Sequence, residues 1–175
     1  NATTGYALSK SPGSYNGSVL KTTDGGANWK QVRNTGGLGM QVYNADTIYL
    51  AGTSGGIIYS YDGGVNWASK ATGVSKNLNA VLFSSREFGV AVGDEGTMVT
   101  TKDGGTTWTK ETALTTNTLK HISLSRNGNM LVSGASGTLL VLPKSPTGVS
   151  ALTNPYADTP TFSICPKHGY IPGEH

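Results

Sequence analysis

The chain alternates short apolar runs with clusters of Gly, Asn, Asp and Ser. β-Branched and aromatic residues dominate the runs, a pattern that predicts strands joined by tight turns. The predicted strands fall at residues 5–9, 17–20, 40–43, 47–52, 56–59, 78–83, 88–93, 96–99, 119–124, 130–134 and 137–142. No apolar run approaches the roughly 18 residues that a membrane-spanning helix needs, so we expect no membrane span.

A repeated motif runs in phase with these strands. All three tryptophans of the chain end the same kind of eight-residue segment, at Thr22–Trp29, Ser60–Trp67 and Thr101–Trp108. The segments recur roughly every 40 residues, a period typical of propeller blades. Each unit reads as four antiparallel strands with the segment at the turn before the last strand. The sequence therefore predicts an all-β fold built of four-stranded β-propeller blades.

Three kinds of residue have a predicted structural role in each segment. The aspartates accept backbone hydrogen bonds that hold the turn, Gly25, Gly63 and Gly104 supply backbone conformations with positive φ, and the tryptophans cover the gap between blades. The structural residues of the boxes are Asp24, Gly26 and Trp29 in the first segment, Asp62, Gly64 and Trp67 in the second, and Asp103, Gly105 and Trp108 in the third.

The segment resembles the Asp-box, or BNR repeat, with the pattern Ser/Thr-x-Asp-x-Gly-x-x-Trp, and the resemblance covers residues 5–142. Propellers with this box include sialidases, some endoglucanases, sortilin-type receptors and photosystem II assembly factors. Residues 88–108 are most similar to the last group and its bacterial relatives. The resemblance implies a propeller fold, but the box is architectural and is shared by unrelated activities.

The strand count predicts an incomplete ring. The first unit has three strands, the second and third have four, and the fourth has three because no box follows it. Propellers normally have about four to eight blades. We therefore expect about three and a half blades in residues 1–142, completed by a longer parent chain or by another chain in an oligomer.

A Pro-rich linker or tail is predicted for residues 143–175, which contain all but one of the seven prolines. The single cysteine of the chain, Cys165, excludes an internal disulfide. Cys165, His168 and His175 have the chemistry of metal ligands, but their spacing matches no metal site. We expect no metal and no cofactor.

Composition narrows the function classes. The chain has 25 glycines in 175 residues and only 13% charged residues, which disfavours long amphipathic helices. Its net charge is +3 and no run of Lys or Arg occurs, so a nucleic-acid partner is not expected. No export signal follows Asn1, although the absence of Cys from residues 1–164 favours an exported protein.

Two arginines are the candidate binding residues. Arg86 and Arg126 are one blade repeat apart and follow the first strand of their units, so we expect equivalent turns on one face of adjacent blades. Guanidinium groups there would bind carboxylates of a partner through paired hydrogen bonds. The alternative is that both are solvated turn charges. Arg33 follows the first box on an outer strand and is expected to lie apart from them.

No catalytic constellation emerges from the sequence. Glycosidase carboxylates lie about 5–10 Å apart, whereas the box aspartates are expected on separate blades. Asp94 and Glu95 fit a β-turn better than a Ca²⁺ site, and His121 is expected to be packed or to face the central channel. Five tyrosines are interpreted as packing residues of strands: Tyr6, Tyr43, Tyr49, Tyr59 and Tyr61.

Function is therefore expected from binding. The first hypothesis is a non-catalytic propeller scaffold that binds a protein partner in a secreted, cell-surface, periplasmic or lumenal location. The second is a carbohydrate-active or carbohydrate-binding propeller, resembling sialidases or endoglucanases, with its catalytic blades outside this chain. The third is a structural module of a surface or secreted assembly.

Overall fold

Four antiparallel β-sheets make up the molecule in the computed structural model, which describes residues 3–10, 17–35 and 37–143. The 14 strands of these residues run up and down, and within each sheet a strand pairs with its neighbours in sequence. Among the residues described, helix is confined to two 3₁₀ turns, Thr53–Gly55 and Asp94–Gly96. Within the described residues, no helix has the length and apolarity needed to cross a membrane. The prediction of an all-β propeller is confirmed.

The sheets are the blades of the propeller, and we number them in chain order. Blade 1 contains β1 (Gly5–Lys10), β2 (Gly17–Thr22) and β3 (Lys30–Thr35). Blade 2 contains β4 (Gly37–Val42), β5 (Ile48–Gly52), β6 (Gly56–Ser60) and β7 (Ala68–Ala71). Blade 3 contains β8 (Leu78–Phe83), β9 (Gly89–Gly93), β10 (Met98–Thr101) and β11 (Thr109–Lys110). Blade 4 contains β12 (Leu119–Leu124), β13 (Met130–Gly134) and β14 (Leu139–Leu142).

The blades follow the predicted count of three, four, four and three strands. Strands β4, β8 and β12 are the first strands of blades 2–4 and lie next to one another. Strands β3, β7 and β11 follow the three boxes and form the opposite edges of their sheets. In the described part of the chain, blade 1 has no strand equivalent to β4, and blade 4 has none equivalent to β7. The described residues thus form a partial propeller. Apart from Pro143, the predicted tail, including Cys165, His168 and His175, lies outside them.

Apolar side chains meet between successive blades, and we call these interfaces the first, second and third seams. The first seam, between blades 1 and 2, has Val19, Ile48 and Leu50 at its centre. The second seam, between blades 2 and 3, is built around Tyr49, Ala51, Ile57, Leu78, Val81, Phe83, Ala91 and Val99. The third seam, between blades 3 and 4, is built around Val90, Val92, Met98, Leu119, Met130, Val132, Leu140 and Leu142. Alternate strand positions supply these residues because successive side chains point to opposite faces of a sheet.

Candidate functional site

Each box is a closed hydrogen-bonded turn. In the first, the Thr22 hydroxyl donates to Asp24 Oδ1 at 2.7 Å and accepts the backbone N–H of Gly26 at 2.9 Å. Asp24 also accepts the backbone and side-chain N–H groups of Asn28, at 2.9 and 2.8 Å. Gly25 and Gly26 adopt positive φ, at 75° and 98°. Both carboxylate oxygens of Asp24 accept hydrogen bonds from within the turn, which is the arrangement expected of a structural residue.

The other two boxes repeat this arrangement. Asp62 accepts from Ser60 and Asn66, and Asp103 accepts from Thr101 and Thr107. Hydrogen bonds from the backbone and side chain of Asn28 lower the pKa of Asp24 to about 2, and those from the side chain and backbone of Thr107 lower the pKa of Asp103 to about 2. The same contacts from Asn66 lower the pKa of Asp62. A donor to a carboxylate favours its ionised form.

The box tryptophans differ in their surroundings. Trp67 packs on the apolar cluster of the first seam, and Trp108 packs on that of the second seam, where its ring meets Phe83 edge-on. Trp29 belongs to blade 1 and is 46% exposed. In these two seams, therefore, each box tryptophan packs on the apolar cluster between its own blade and the preceding one.

The candidate arginines lie in equivalent turns but not at equivalent positions. Each turn joins the first strand of its blade to the second, and the strand pairing aligns Phe83 with Leu124. Arg86 follows Phe83 by three residues, whereas Arg126 follows Leu124 by two. Both side chains are exposed. The strict one-repeat equivalence predicted from the sequence is thus displaced by one residue.

A crevice of about 930 Å³ opens over the second seam. Its walls are the turns that join first to second strands in blades 2 and 3, together with box residues of both blades. Arg86 lines it, but Arg126 does not. The other residues that line it are Tyr43, Asn44, Asp46, Thr47, Tyr49, Tyr61, Phe83, Ser85, Glu87, Asp103, Gly104 and Thr106. Its volume is in the range of ligand pockets in proteins.

Aromatic rings form the floor of the crevice. Tyr49 and Phe83 stack with ring centroids 4.0 Å apart and an angle of 19°, and both are buried. Tyr61 meets Tyr49 edge-on at 6.2 Å. Burial raises the pKa of Tyr49, and so do a hydrogen bond to Tyr61 and the nearby Tyr61 and Tyr43 hydroxyls, while Arg86 opposes the shift. The side chains of Phe83, Tyr61, Tyr43 and Arg86 therefore all lie near the Tyr49 ring.

Two of these tyrosines differ from the expectation that they pack inside strands. Tyr43 and Tyr61 lie just after the ends of β4 and β6 and are 38% and 56% exposed. The sequence contained one signal for Tyr61, because the equivalent box positions hold the polar residues Thr23 and Lys102. A large aromatic side chain at a solvent-facing position is a typical binding residue.

The turns around the crevice are rigidly held. Asn44 Oδ1 accepts the backbone N–H groups of Asp46 and Thr47, and in blade 3 the Ser85 hydroxyl accepts those of Glu87 and Phe88. These contacts leave the carboxylates of Asp46 and Glu87 exposed at the rim. The crevice thus presents aromatic rings, carboxylates and one guanidinium group to solvent.

A second cavity, of about 500 Å³, lies between the first strands of blades 2, 3 and 4. His121 is exposed and lines this cavity together with Asp94 and Lys120. Asp94 accepts from Asn77 and Asn79, whereas Glu95 pairs with Lys76. The two neighbouring carboxylates thus serve different contacts. Among the described residues, no group of three His, Cys, Asp or Glu side chains is placed to hold a metal ion.

Arg33 lies apart from the crevice, on the third strand of blade 1. Its guanidinium carbon is 5.3 Å from the centroid of the Trp67 ring, a cation–π contact that joins blade 1 to blade 2. Burial lowers the pKa of Arg33. This side chain is therefore part of the first seam.

Comparison with known proteins places this architecture. The family model of the photosynthesis system II assembly factor YCF48 matches residues 31–100. No curated protein sequence matches the chain. Among solved structures, YCF48 bound to a D1 peptide has a TM-score of 0.64 and 14% identity, over 85% of this chain and 48% of that one. YCF48 from Cyanidioschyzon merolae has a TM-score of 0.54 and 15% identity, over 77% and 65%.

A glycoside hydrolase has the same fold. The GH74 enzyme of Niastella koreensis has a TM-score of 0.62 and 20% identity, over 81% of this chain and 27% of that enzyme. The chain therefore spans about half of the first YCF48 structure and about a quarter of the enzyme. YCF48 and the GH74 enzyme both share the propeller fold with this chain. The YCF48 family model also matches the chain in sequence, over residues 31–100. The chain carries BNR, or Asp-box, propeller blades related to those of photosystem II assembly factors.

Proposed function

We propose that this chain belongs to a non-catalytic β-propeller that binds a protein partner outside the cytosol, through the face that carries Arg86 and Arg126. The observation that supports this most is the crevice over the second seam. It combines exposed tyrosines, an arginine and rigid turns, and Tyr and Arg are enriched among the residues that dominate binding energy in protein interfaces.

The comparisons support the same function without specifying the partner. One structure similar to this chain is YCF48 bound to a D1 peptide, so a propeller of this kind binds a polypeptide segment. The matching family model covers blade 2 and the first strands of blade 3, and so includes both turns that form the walls of the crevice. Arg86 at the crevice and Arg126 on the next blade would each bind a carboxylate of the partner.

The second candidate function is carbohydrate binding. Tyr43 and Tyr61 are exposed rings of the kind on which sugars can stack, and three of the similar structures are GH74 enzymes, one of them a xyloglucanase. A catalytic role would need blades outside this chain, since the box aspartates are committed to their turns. The third candidate, a structural module of a surface assembly, would use neither the crevice nor the arginines.

Titration of the full chain with two probes separates these functions. The probes are a D1 peptide and a xyloglucan oligosaccharide, measured by calorimetry. We expect the peptide to bind, and the double variant Arg86→Glu/Arg126→Glu to weaken it at least tenfold, because two contacts of over about 1 kcal/mol each are lost. The free energy of unfolding should change by less than about 0.5 kcal/mol.

The matched control reverses two other exposed charges, Lys70→Glu and Lys110→Glu, on the last strands of blades 2 and 3. It changes the net charge equally and should leave peptide affinity within about twofold. Binding of the oligosaccharide without the peptide would favour the carbohydrate function. Equal loss in both double variants would mean that the arginines act only through net charge, and would remove this face from the proposal.

A further inference from the structure

A lysine fills the first seam at the level of the box. Lys21 Nζ donates to the carbonyl oxygen of Gly63 at 2.8 Å and lies 5.4 Å from the centroid of the Tyr6 ring. The Tyr6 hydroxyl donates to the carbonyl oxygens of Gly63 and Ala45, at 3.1 and 2.7 Å. An ammonium group is thus held between a tyrosine face and a box carbonyl, which joins blade 1 to blade 2.

The second seam has the same strand pairing but a tyrosine in place of the lysine. Tyr6 pairs with Lys21 across β1 and β2, and one blade later Tyr49 pairs with Tyr59 across β5 and β6. The box glycine that follows is Gly104, the equivalent of Gly63. The position of the lysine is therefore occupied by Tyr59, whose side chain carries no ammonium group.

The replacement leaves the box carbonyl of blade 3 poorly satisfied. Tyr49 stacks on Phe83, and the Gly104 oxygen receives a contact of 3.5 Å from the Tyr61 hydroxyl, at the long limit of hydrogen bonds. Gly104 lines the crevice, so its carbonyl is accessible from outside. The crevice offers a hydrogen-bond acceptor where the first seam holds a cation.

The charges around the crevice favour a cation as well. Three carboxylates line it, those of Asp46, Glu87 and Asp103, against the single guanidinium group of Arg86. Asp46 and Glu87 are exposed and lie in the turns of blades 2 and 3 that line the crevice. Tyr61 adds an exposed ring, and aromatic faces attract ammonium groups.

We propose that the second seam binds a lysine side chain of a protein partner, whose ammonium group donates to the Gly104 carbonyl beside Tyr61 and is balanced by Asp46 and Glu87. The protein itself provides the template, because Lys21 makes the equivalent contacts in the first seam. The inference rests on the proposed function in that a protein supplies the side chain. It adds that the partner carries a lysine next to the carboxylates that the arginines would bind.

A pair of peptides tests this directly on the full chain. The first is a pentapeptide with blocked ends and a central lysine between alanines, and the second has norleucine in place of lysine, which keeps the chain length and removes the charge. We expect the lysine peptide to shift the backbone NMR signals of Gly104 and Tyr61 in a saturable way. The norleucine peptide should bind at least about fivefold more weakly, since the cation–π and charge-assisted contacts are lost.

The variant Tyr59→Lys should fill the proposed lysine site with a side chain of the protein itself. The new lysine would take the place that Lys21 has in the first seam, so lysine-peptide affinity should fall by at least about tenfold while circular dichroism stays unchanged. Tyr59→Met is its matched control, because methionine has a similar length but no ammonium group, and it should retain binding. Equal affinity of Tyr59→Lys and Tyr59→Met for the lysine peptide would overturn the proposal.

Because Tyr59 is half-buried, a second variant on exposed turns keeps the test independent of folding. Asp46→Asn/Glu87→Gln should weaken the lysine peptide about three- to tenfold and leave the norleucine peptide unaffected. Equal binding of the two peptides to the natural chain would also overturn the lysine site. That failure is separate from the proposed function, which is tested by the D1 peptide, the oligosaccharide and the two double variants.

Discussion

The first and second seams join successive blades of the same repeat, yet one is closed and the other open. In the first seam, Tyr6 and Lys21 bond to the backbone of the next blade, across a small apolar cluster. In the second, Tyr49 turns onto Phe83 and the polar bonds are replaced by a larger aromatic cluster with a crevice above it. An exchange of lysine for tyrosine on a middle strand is thus one of the differences between the hydrogen-bonded first seam and the second seam with its crevice.

The seams also differ in the apolar residue that ends the first strand of the later blade. Phe83 ends β8 and is buried, whereas Val42 occupies the equivalent position at the end of β4 and is 41% exposed. The first seam therefore depends more on hydrogen bonds and the second more on buried rings. Four sets of variants test that difference.

The largest effect is expected from removing the ring under the crevice. Phe83→Ala should lower the free energy of unfolding by about 3–5 kcal/mol, since it leaves a cavity beneath Tyr49 and Trp108. The equivalent variant Val42→Ala should cost less than about 1 kcal/mol, because that side chain is partly solvated. Urea unfolding measures both. Similar losses for the two variants would mean that the seams do not differ in their apolar support.

Box glycines offer a matched comparison of intermediate size. Gly63→Ala and Gly25→Ala both place a side chain at positive φ, at a cost of about 1–2 kcal/mol. At Gly63 the new Cβ would lie 2.9 Å from Lys21 Nζ and 3.2 Å from the Tyr6 hydroxyl, whereas at Gly25 nothing lies within 4 Å. We expect Gly63→Ala to cost about 1 kcal/mol more in urea unfolding, because the lysine must leave its carbonyl. Equal costs would show that the lysine contact contributes nothing.

Removing single hydroxyl groups should have smaller effects. Tyr6→Phe should lower the free energy of unfolding by about 1 kcal/mol, because the one proton that the hydroxyl shares between the carbonyl oxygens of Ala45 and Gly63 is lost. Tyr61→Phe in the second seam should change it by less than about 0.5 kcal/mol, since its contact with Gly104 is long and exposed. Thermal unfolding of both variants checks this order. The reverse order would place the stronger polar contact in the second seam.

The smallest effect concerns the boxes, which are alike in both seams. The pKa of Asp24 and of Asp103 is about 2 in the folded chain, below the ordinary value of an aspartate. The stabilisation from these carboxylates is present above about pH 4 and is lost as the pH falls towards 2, because the unfolded chain binds protons first.

Thermal unfolding across this range measures the box effect. Asp103→Asn should flatten the fall in melting temperature between about pH 4 and pH 2, whereas Tyr6→Phe, which carries no titrating carboxylate, should retain it. An unchanged pH profile in Asp103→Asn would show that the box carboxylate does not contribute in this range.

Much of the architecture was predictable because its causes are local. Alternation of apolar and polar residues marks the strands, and the spacing of Asp, Gly and Trp marks the turn before the last strand of each boxed blade. The hydrogen bonds of Asp24 join residues at most four apart, so the sequence segment contains all of their donors. The count of strands in each blade follows from the same periodicity.

The candidate site was less predictable, since its residues come from different blades. The sequence predicted the two turns that carry the arginines. The spacing of forty residues also predicted equivalent positions for Arg86 and Arg126, whereas the strand pairing shows that these positions differ by one residue. Tyr43 and Tyr61 were expected to pack inside strands because their neighbours do. The equivalent box positions, Thr23 and Lys102, did offer a signal that Tyr61 is exposed. The contact of Tyr61 with Gly104, by contrast, depends on how blade 3 sits against blade 2, and no local pattern contains that information.

The amino-acid pattern was sufficient for the class of fold, the blade repeat and the closed box turns, because each depends on backbone preferences and on contacts within a few residues. Which seam is sealed depended on contacts between residues about one blade apart, such as Lys21 with Gly63 and Tyr49 with Phe83. Lysine and tyrosine are both acceptable at that strand position, so local propensity does not choose between an open and a closed seam. The choice depends on the carbonyl or ring that the packed neighbouring blade presents.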